Sequence, residues 1–223
     1  MQKIDFKKDF RQLYKAPANG FTFLEVPSML YLMIDGAGDP QNNPVFQAAV
    51  ETLYGAAYTI KFSVKKAGSG PEYSIPPLSG LWWCNEMEGF DPENRNQWRW
   101  TLMLAQPPLI DSQMLSSAIS RLKAKGKKGL WSAIRLETLT EGFCVQALHI
   151  GPYCDEGPRI IAMHKFVQDQ GYAIRGKHHE IYMSDPRRTS PEKLKTILRH
   201  PVTKYKIERT GFMPVRPTSE FRS

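Results

Sequence analysis

Two similar stretches, each joining an apolar run to a helix-like run, constrain the fold of this chain most strongly. The first reads YLMIDGAGD and the second ALHIGPYCDEG, which places Gly36 opposite Gly151. Such a repeat indicates an internal duplication, in which each strand-helix-strand-strand unit buries its apolar faces against the other. We therefore predict a single α+β domain at 21–202 with two pseudo-repeats, about 21–106 and 111–202. Its antiparallel sheet is expected to carry helices on one face and a concave ligand pocket on the other.

The spacing of apolar residues predicts the elements within each repeat. Recurrence every three or four residues predicts helices, and dense aromatic and β-branched runs predict strands. The predicted helices cover 44–65, 111–125 and 158–170, and a last short helix begins at Ser190. The predicted strands cover 21–35 with a break at Pro27-Ser28, 81–86, 98–106, 133–139, 143–150 and 178–184. A polar lead-in at 1–20, a long hairpin loop between Glu86 and Trp98 and a basic tail at 203–223 complete the chain.

Composition and motifs exclude several classes of protein. Without an 18-residue apolar run or an apolar leader, the chain is expected to be cytoplasmic and not to bind a membrane. Three cysteines without CxxC spacing indicate neither a disulfide framework nor a zinc site, and no HExxH, P-loop, GxGxxG or GxSxG motif occurs, so neither metal nor cofactor is expected. The net charge is +8, but the basic run 123–128 ends a predicted helix without interleaved aromatics. Nucleic acid is therefore not the expected partner, whereas a protein partner stays open.

Strand alternation singles out Glu180. In the strand 178–184, Glu180 shares one face with His178 and Tyr182, while the other face carries Ile181 and is expected to pack under the helices. A carboxylate flanked by apolar groups is costly to desolvate, so it has a partner, stays protonated or binds a cationic ligand. Two interpretations stay open: Glu180 is a functional group in a pocket, or it lies on an exposed strand face and pairs with an arginine.

Aromatic residues are concentrated near the predicted central strands, with four tryptophans within 19 residues. Indole rings offer rigid surfaces for planar ligands and for cations. Tyr153 follows a turn glycine at a strand end, where its hydroxyl can position a water near Glu180, and these two residues are the catalytic candidates. The candidate ligand-binding residues are Trp82, Trp83, Trp98, Trp100, Tyr58 and Tyr182. For each aromatic residue, packing in the core is the alternative.

Five segments, in this order, resemble the GyrI-like small-molecule-binding family and span nearly the whole chain. They are FLEVPSMLYLMIDGAGDP, PVFQAAVETLYGAAYTIKFSVKK, LWWCNE, ALHIGPY and HHEIYMSDPRRTSPEKLKTILRHPV. The resemblance implies a duplicated two-layer module that binds bulky hydrophobic, often cationic, compounds, including xenobiotics and multiple drugs. In activators of this family a DNA-binding helix-turn-helix precedes the module. With about 20 residues before its first strand, this chain is similar to the standalone branch.

The standalone branch includes cyclopropanoid cyclopropyl hydrolases, so the resemblance implies a candidate activity. By similarity, Glu180 in HEIY matches the central pocket glutamate, and Tyr153 in HIGPY matches a position of the aromatic cage, as do the tryptophan pairs 82–83 and 98–100. The expected reaction adds water to an activated cyclopropane ring, with Glu180 and a tyrosine hydroxyl orienting the water. Two non-enzymatic alternatives stay open: sequestration of the ligand, or interaction with gyrase or another DNA-associated protein.

Overall fold

The chain forms an antiparallel sheet with helices packed on it, in a computed structural model that describes residues 3–41, 43–84 and 97–205. The strands are β1 (Thr22–Val26), β2 (Met29–Ala37), β3 (Ser79–Trp83), β4 (Arg99–Gln106), β5 (Arg135–Leu139), β6 (Gly142–Ile150), β7 (Tyr172–Ile174), β8 (His178–Tyr182) and β9 (Lys195–Lys204). The helices are α1 (Phe6–Asp9), α2 (Pro44–Ala67), α3 (Ser112–Ala124) and α4 (Gly157–Asp169). The predicted α+β class is confirmed. Within the described ranges, no helix is long and apolar enough to cross a membrane.

The three long helices begin and end where the local sequence indicates. In α2, the Asn43 side chain accepts hydrogen bonds from the backbone N–H groups of Val45 and Phe46, and Gly68 ends the helix with φ +61°. The Asp111 side chain caps α3 in the same way. The short helix predicted to start at Ser190 is a single 3₁₀ turn, Pro191–Lys193, before β9. Residues 85–96, which include most of the predicted loop between Glu86 and Trp98, and the tail from 206 onward lie outside the described residues.

The strand order is symmetric about its centre. It runs β1-β6-β9-β8-β3-β4-β2-β5, and β7 pairs with β9 outside this path. The unit β2-α2-β3-β4 supplies three adjacent strands, and β6-α4-β8-β9 supplies three more in mirrored order. The two units meet where β3 pairs with β8, with Gly80 directly opposite Glu180. A duplicated unit produces this order, while the boundaries at 21–106 and 111–202 stay a prediction.

The long helices lie on the same face of the sheet as Glu180, which corrects the expected arrangement. Phe46 of α2 stacks on Trp82, with 6.1 Å between ring centroids, and His164 of α4 contacts His200 at 4.9 Å. Helix α2 packs over β2 and β4, and α4 packs over β6 and β7. The region between α2 and α4, here called the cleft, therefore lies over the central strands β3 and β8, and Glu180 faces it.

The opposite face of the sheet is covered by the N-terminal segment, residues 3–14. Phe6 and Leu13 of this segment are buried, and Ile4 forms a parallel bridge to Tyr73. The guanidinium of Arg199 donates a hydrogen bond to the Leu13 carbonyl at 2.6 Å. This packing is the physical reason for the correction: the face expected to be an open pocket is filled by the residues expected to be a polar lead-in.

Candidate ligand site

Glu180 lies at the centre of the sheet and is only 8% exposed. Its Oε2 accepts a hydrogen bond from the Tyr182 hydroxyl at 2.9 Å, and the same hydroxyl accepts one from Trp82 Nε1 at 3.0 Å. Gly80, the cross-strand neighbour of Glu180, leaves room for these two hydrogen bonds. A Cβ at Gly80 would lie 2.9 Å from the Trp82 nitrogen and 3.2 Å from the Tyr182 hydroxyl. The missing side chain thus permits the indole, the phenol and the carboxylate to meet.

A second glutamate, Glu156, lies close to Glu180 and is 3% exposed. Burial, followed by the charge of Glu180, raises the pKa of Glu156 well above its ordinary value. Glu156 directly precedes α4, yet its side chain does not cap that helix. Within the described ranges, neither its Oε1 nor the buried Thr196 hydroxyl forms a hydrogen bond of ordinary geometry. The carboxyl group is therefore directed into the site rather than used for capping.

Two tyrosines flank this pair of carboxyl groups. The rings of Tyr153 and Tyr182 meet edge to face, with 5.7 Å between centroids. Burial and then the negative charge of Glu180 raise the pKa of Tyr182 well above its ordinary value. Burial and then Glu156 and Glu180 raise the pKa of Tyr153 to about 12. Both hydroxyls are therefore neutral hydrogen-bond donors at neutral pH, and Tyr153, 40% exposed, lies at the edge of the cleft.

Behind Glu180 lies a pair of buried histidines. His178 Nε2 is 3.3 Å from Glu180 Oε1, and His178 Nδ1 is 2.9 Å from His200 Nε2, so one ring donates to the other. Burial and then His178 lower the pKa of His200 well below its ordinary value, which keeps that ring neutral. In the described part of the chain, no lysine or arginine forms an ion pair with Glu180 or Glu156. The interpretation of Glu180 as an arginine-paired residue on an exposed strand is thus wrong.

The tryptophan pair on β3 divides between the two faces of the sheet. Trp82 faces Glu180, and its ring meets that of Trp98 edge to face at 5.6 Å. Trp83 points to the opposite face, where the Lys177 ammonium lies 3.3 Å from its ring centroid. Strand alternation requires one indole of this pair to face away from Glu180, and the structure places Trp83 in that position.

Two other predicted ligand-binding residues lie apart from Glu180. Trp100 is completely buried beside Phe46, with 5.2 Å between ring centroids, and it packs against the backbone of Gly36. A Cβ at Gly36 would lie 2.1 Å from the Trp100 ring, so this indole belongs to the core beneath α2. Tyr58 lies on an exposed face of α2, stacked between Tyr54 at 6.3 Å and Phe62 at 6.1 Å.

Sequence reasoning missed Glu156 and Thr196. Glu156 lies in the quoted stretch GPYCDEG, just before a predicted helix, where an acidic side chain normally serves the helix terminus. Thr196 lies in β9, shortly after the point at which the sequence predicts a last short helix to begin. One signal was available in the sequence: Glu156 is only three residues from Tyr153, within the stretch GPYCDEG that belongs to the internal repeat.

Comparison with known proteins agrees with this geometry. A model of the GyrI-like small molecule binding domain matches residues 21–203. An uncharacterized conserved protein from Listeria innocua is 40% identical with a TM-score of 0.83, over 90% of this chain and all of that chain. A hydrolase from Listeria innocua is 39% identical with a TM-score of 0.81, over 91% of this chain and all of that one.

More distant structures share the fold alone. The C-terminal domain of EcmrR is 15% identical with a TM-score of 0.50, over 83% of this chain and 98% of that domain. No curated protein matches this chain. Since the family model covers most of the sequence, from the first strand through β9, the chain belongs to the GyrI-like small molecule binding domain family.

Proposed function

We propose that the protein binds bulky planar hydrophobic or cationic compounds, xenobiotics among them, in the cleft between α2 and α4. The observation that carries the proposal is Glu180, a buried carboxylate on the cleft floor with no lysine or arginine partner in the described chain. Such a carboxylate is costly to desolvate, and a ligand cation lowers that cost. The family supplies the class of ligand, and free thiols at Cys84, Cys144 and Cys154 favour a cytosolic setting.

The aromatic groups around Glu180 supply surfaces for a planar ligand. Trp82, Trp98 and Tyr182 lie at the floor of the cleft, and Tyr153 lies at its edge. Trp82 and Glu180 are nearly closed off from solvent, so a bulky ligand requires the side chains above them to move. Flat rings stacked on indole and phenol faces gain both apolar burial and, for a cation, attraction to the ring.

The same site is suited to adding water to an activated cyclopropane ring. Glu180 accepts a proton from the attacking water, while a neutral tyrosine hydroxyl, Tyr153 or Tyr182, holds the water in line with the ring carbon. The broken carbon–carbon bond leaves its electron pair on the conjugated system of the ligand, which is then protonated. The name of the Listeria relative as a hydrolase supports turnover rather than binding alone.

A titration with ethidium, followed by tryptophan fluorescence, tests the binding site. We expect saturable quenching in the unmodified protein and at least tenfold weaker binding in Glu180→Gln, because the buried negative charge is lost. Glu51→Gln, which removes an exposed glutamate on α2, is the matched control and should bind as the unmodified protein does. Binding that is equal in both variants would place the dye elsewhere.

Incubation with a cyclopropane-bearing alkylator, followed by mass analysis, tests turnover. A product heavier by one water, absent with Glu180→Gln, supports the hydrolase. Saturable binding without that product leaves a sequestering protein. A third outcome, no dye binding together with an association that weakens steeply with salt, would favour interaction with a DNA-associated partner instead.

A further inference from the structure

The Glu156–Glu180 pair differs from an ordinary buried ion pair because both members are acids. Both carboxyl groups are almost completely buried and lie close together. The ring of Tyr153, three residues before Glu156, meets the ring of Tyr182, whose hydroxyl donates to Glu180. Two carboxylates in contact cannot both be ionised cheaply in a site of low polarity, so the stable arrangement has one acid donating to one carboxylate. A single negative charge then rests on the pair.

Among the described residues, the surroundings supply no lysine or arginine that would remove this proton. The titratable groups facing the pair are His178 and Tyr182 from β8, and Tyr153 and Cys154 from the turn before α4. Beyond these, Asp185 acts on Tyr153 from the loop after β8. The tyrosines are neutral and Asp185 adds negative charge, while His178 is held between Glu180 and His200.

Two features leave room for a second charge once a cation arrives. The N-terminus of α4 lies next to Glu156, and its backbone N–H groups favour an ionised carboxylate. The hydroxyl of Thr196 faces Glu156 and has no hydrogen bond of ordinary geometry in the described chain, so it is available as a donor. A positive ligand above the pair therefore stabilises the doubly ionised form far more than it stabilises the protonated form.

We propose that Glu156 and Glu180 share one proton in the ligand-free protein, and that a lipophilic cation bound in the cleft displaces this proton. This inference rests on the proposed function and adds Glu156 to the binding site. The exchange is balanced: the cation enters, both carboxyl groups become carboxylates, and one proton leaves to solvent. A neutral planar ligand makes the same aromatic contacts but displaces no proton. Proton release therefore distinguishes the binding of a cationic ligand from that of a neutral one.

Titration calorimetry with ethidium, in buffers that differ in ionisation enthalpy, measures the number of protons released. We expect release approaching one proton per dye, and affinity that rises up to tenfold per pH unit below the apparent pKa of the pair. Glu156→Gln should bind ethidium without releasing a proton, and its affinity should not change with pH in that range. Thr196→Val should shift the release to higher pH, because it removes a donor to the ionised carboxylate.

Three controls make the result decisive. Pyrene, a neutral planar ligand, should bind with no proton release, and Glu51→Gln should release as many protons as the unmodified protein. Proton release that persists in Glu156→Gln, or dye binding without any release, overturns the shared proton while leaving the ligand site intact.

Infrared spectroscopy of the ligand-free protein gives a reading that needs no ligand. A carbonyl stretch of a protonated carboxyl group should be present at neutral pH and should be missing in both Glu156→Gln and Glu180→Gln. If that band is absent, the proposal fails even if the dye binds. If it is present while no dye binds, the proton is shared but the proposed binding function fails.

Discussion

Two buried glutamate sites occupy opposite faces of the same sheet, and they differ in whether a permanent cation is present. On the face covered by the N-terminal segment, Glu141 contacts Arg199 Nη1 at 3.4 Å and His179 Nδ1 at 2.9 Å. On the face with the helices, Glu180 contacts Glu156. Burial alone would raise the pKa of Glu141, but His179 and Arg199 lower it to about 2, whereas the pKa of Glu156 is raised.

The contrast separates a structural charge from the one that we propose to bind a ligand. The Glu141–Arg199 pair also ties down the N-terminal segment, because Arg199 donates to the Leu13 carbonyl and to Gln146 Oε1, which is 3.0 Å away. On the helix face, no lysine or arginine of the described residues forms an ion pair with Glu180 or Glu156. A folded chain keeps such a costly group when a ligand, rather than the protein, supplies the partner.

The largest expected effect on stability comes from removing the carboxylate of Glu141, which pairs with Arg199. Glu141→Gln leaves Arg199 buried without its carboxylate, so the free energy of unfolding should fall by about 3–5 kcal/mol. Urea unfolding monitored by circular dichroism measures this. The double variant Glu141→Gln with Arg199→Met should recover part of the loss, and a single variant as stable as the unmodified protein would show that the pair is not structural.

The pH dependence of stability should separate the two faces. The pKa of Glu141 is lowered in the fold, so its contribution is complete above its unfolded value near 4.5 and is lost as pH falls through about 2. The pKa of Glu156 is raised, so the fold binds more protons than the unfolded chain above pH 4.5, and stability declines as pH rises toward the folded value. Urea midpoints measured from pH 2 to 9 should show both losses of stability. The loss at acidic pH should be smaller in Glu141→Gln, and the loss at higher pH should be smaller in Glu156→Gln.

The matched substitution on the helix face should have a small effect of opposite sign. Glu156→Gln replaces a neutral acid with a neutral amide of similar shape, so the free energy of unfolding near pH 7 should be unchanged or rise by up to about 1 kcal/mol. The same urea experiment measures it. A loss as large as that of Glu141→Gln would mean that Glu156 is ionised and paired in the ligand-free protein.

The smallest expected effect distinguishes the two tryptophans of β3. Trp82→Phe removes the hydrogen bond to Tyr182 and should weaken ethidium binding by about 0.5–1.5 kcal/mol, or roughly two- to tenfold. Trp83→Phe changes the opposite face and should leave dye binding unaltered. Equal losses in the two variants would contradict the assignment of faces.

Much of this architecture could be predicted because it depends on local patterns. Apolar spacing and caps place α2, and strand alternation puts Glu180, His178 and Tyr182 on one face. Long-range packing decides the rest. No local pattern shows that residues 3–14 fill the face predicted to be open, or that β6 and β8 pair on either side of β9. The role of Glu156 depends on a neighbour 24 residues away, at Glu180.

The pairing of β3 with β8 has a consequence for the order of events during folding. Trp82 and Tyr182 are 100 residues apart in the chain, and each belongs to a different repeat. Contacts of such high sequence separation form only after the intervening loop entropy has been lost, which makes them late and slow. A nascent or partly folded chain can therefore hold a complete first repeat and still have no site. Ligand affinity thus becomes a direct assay for the docking of the two halves.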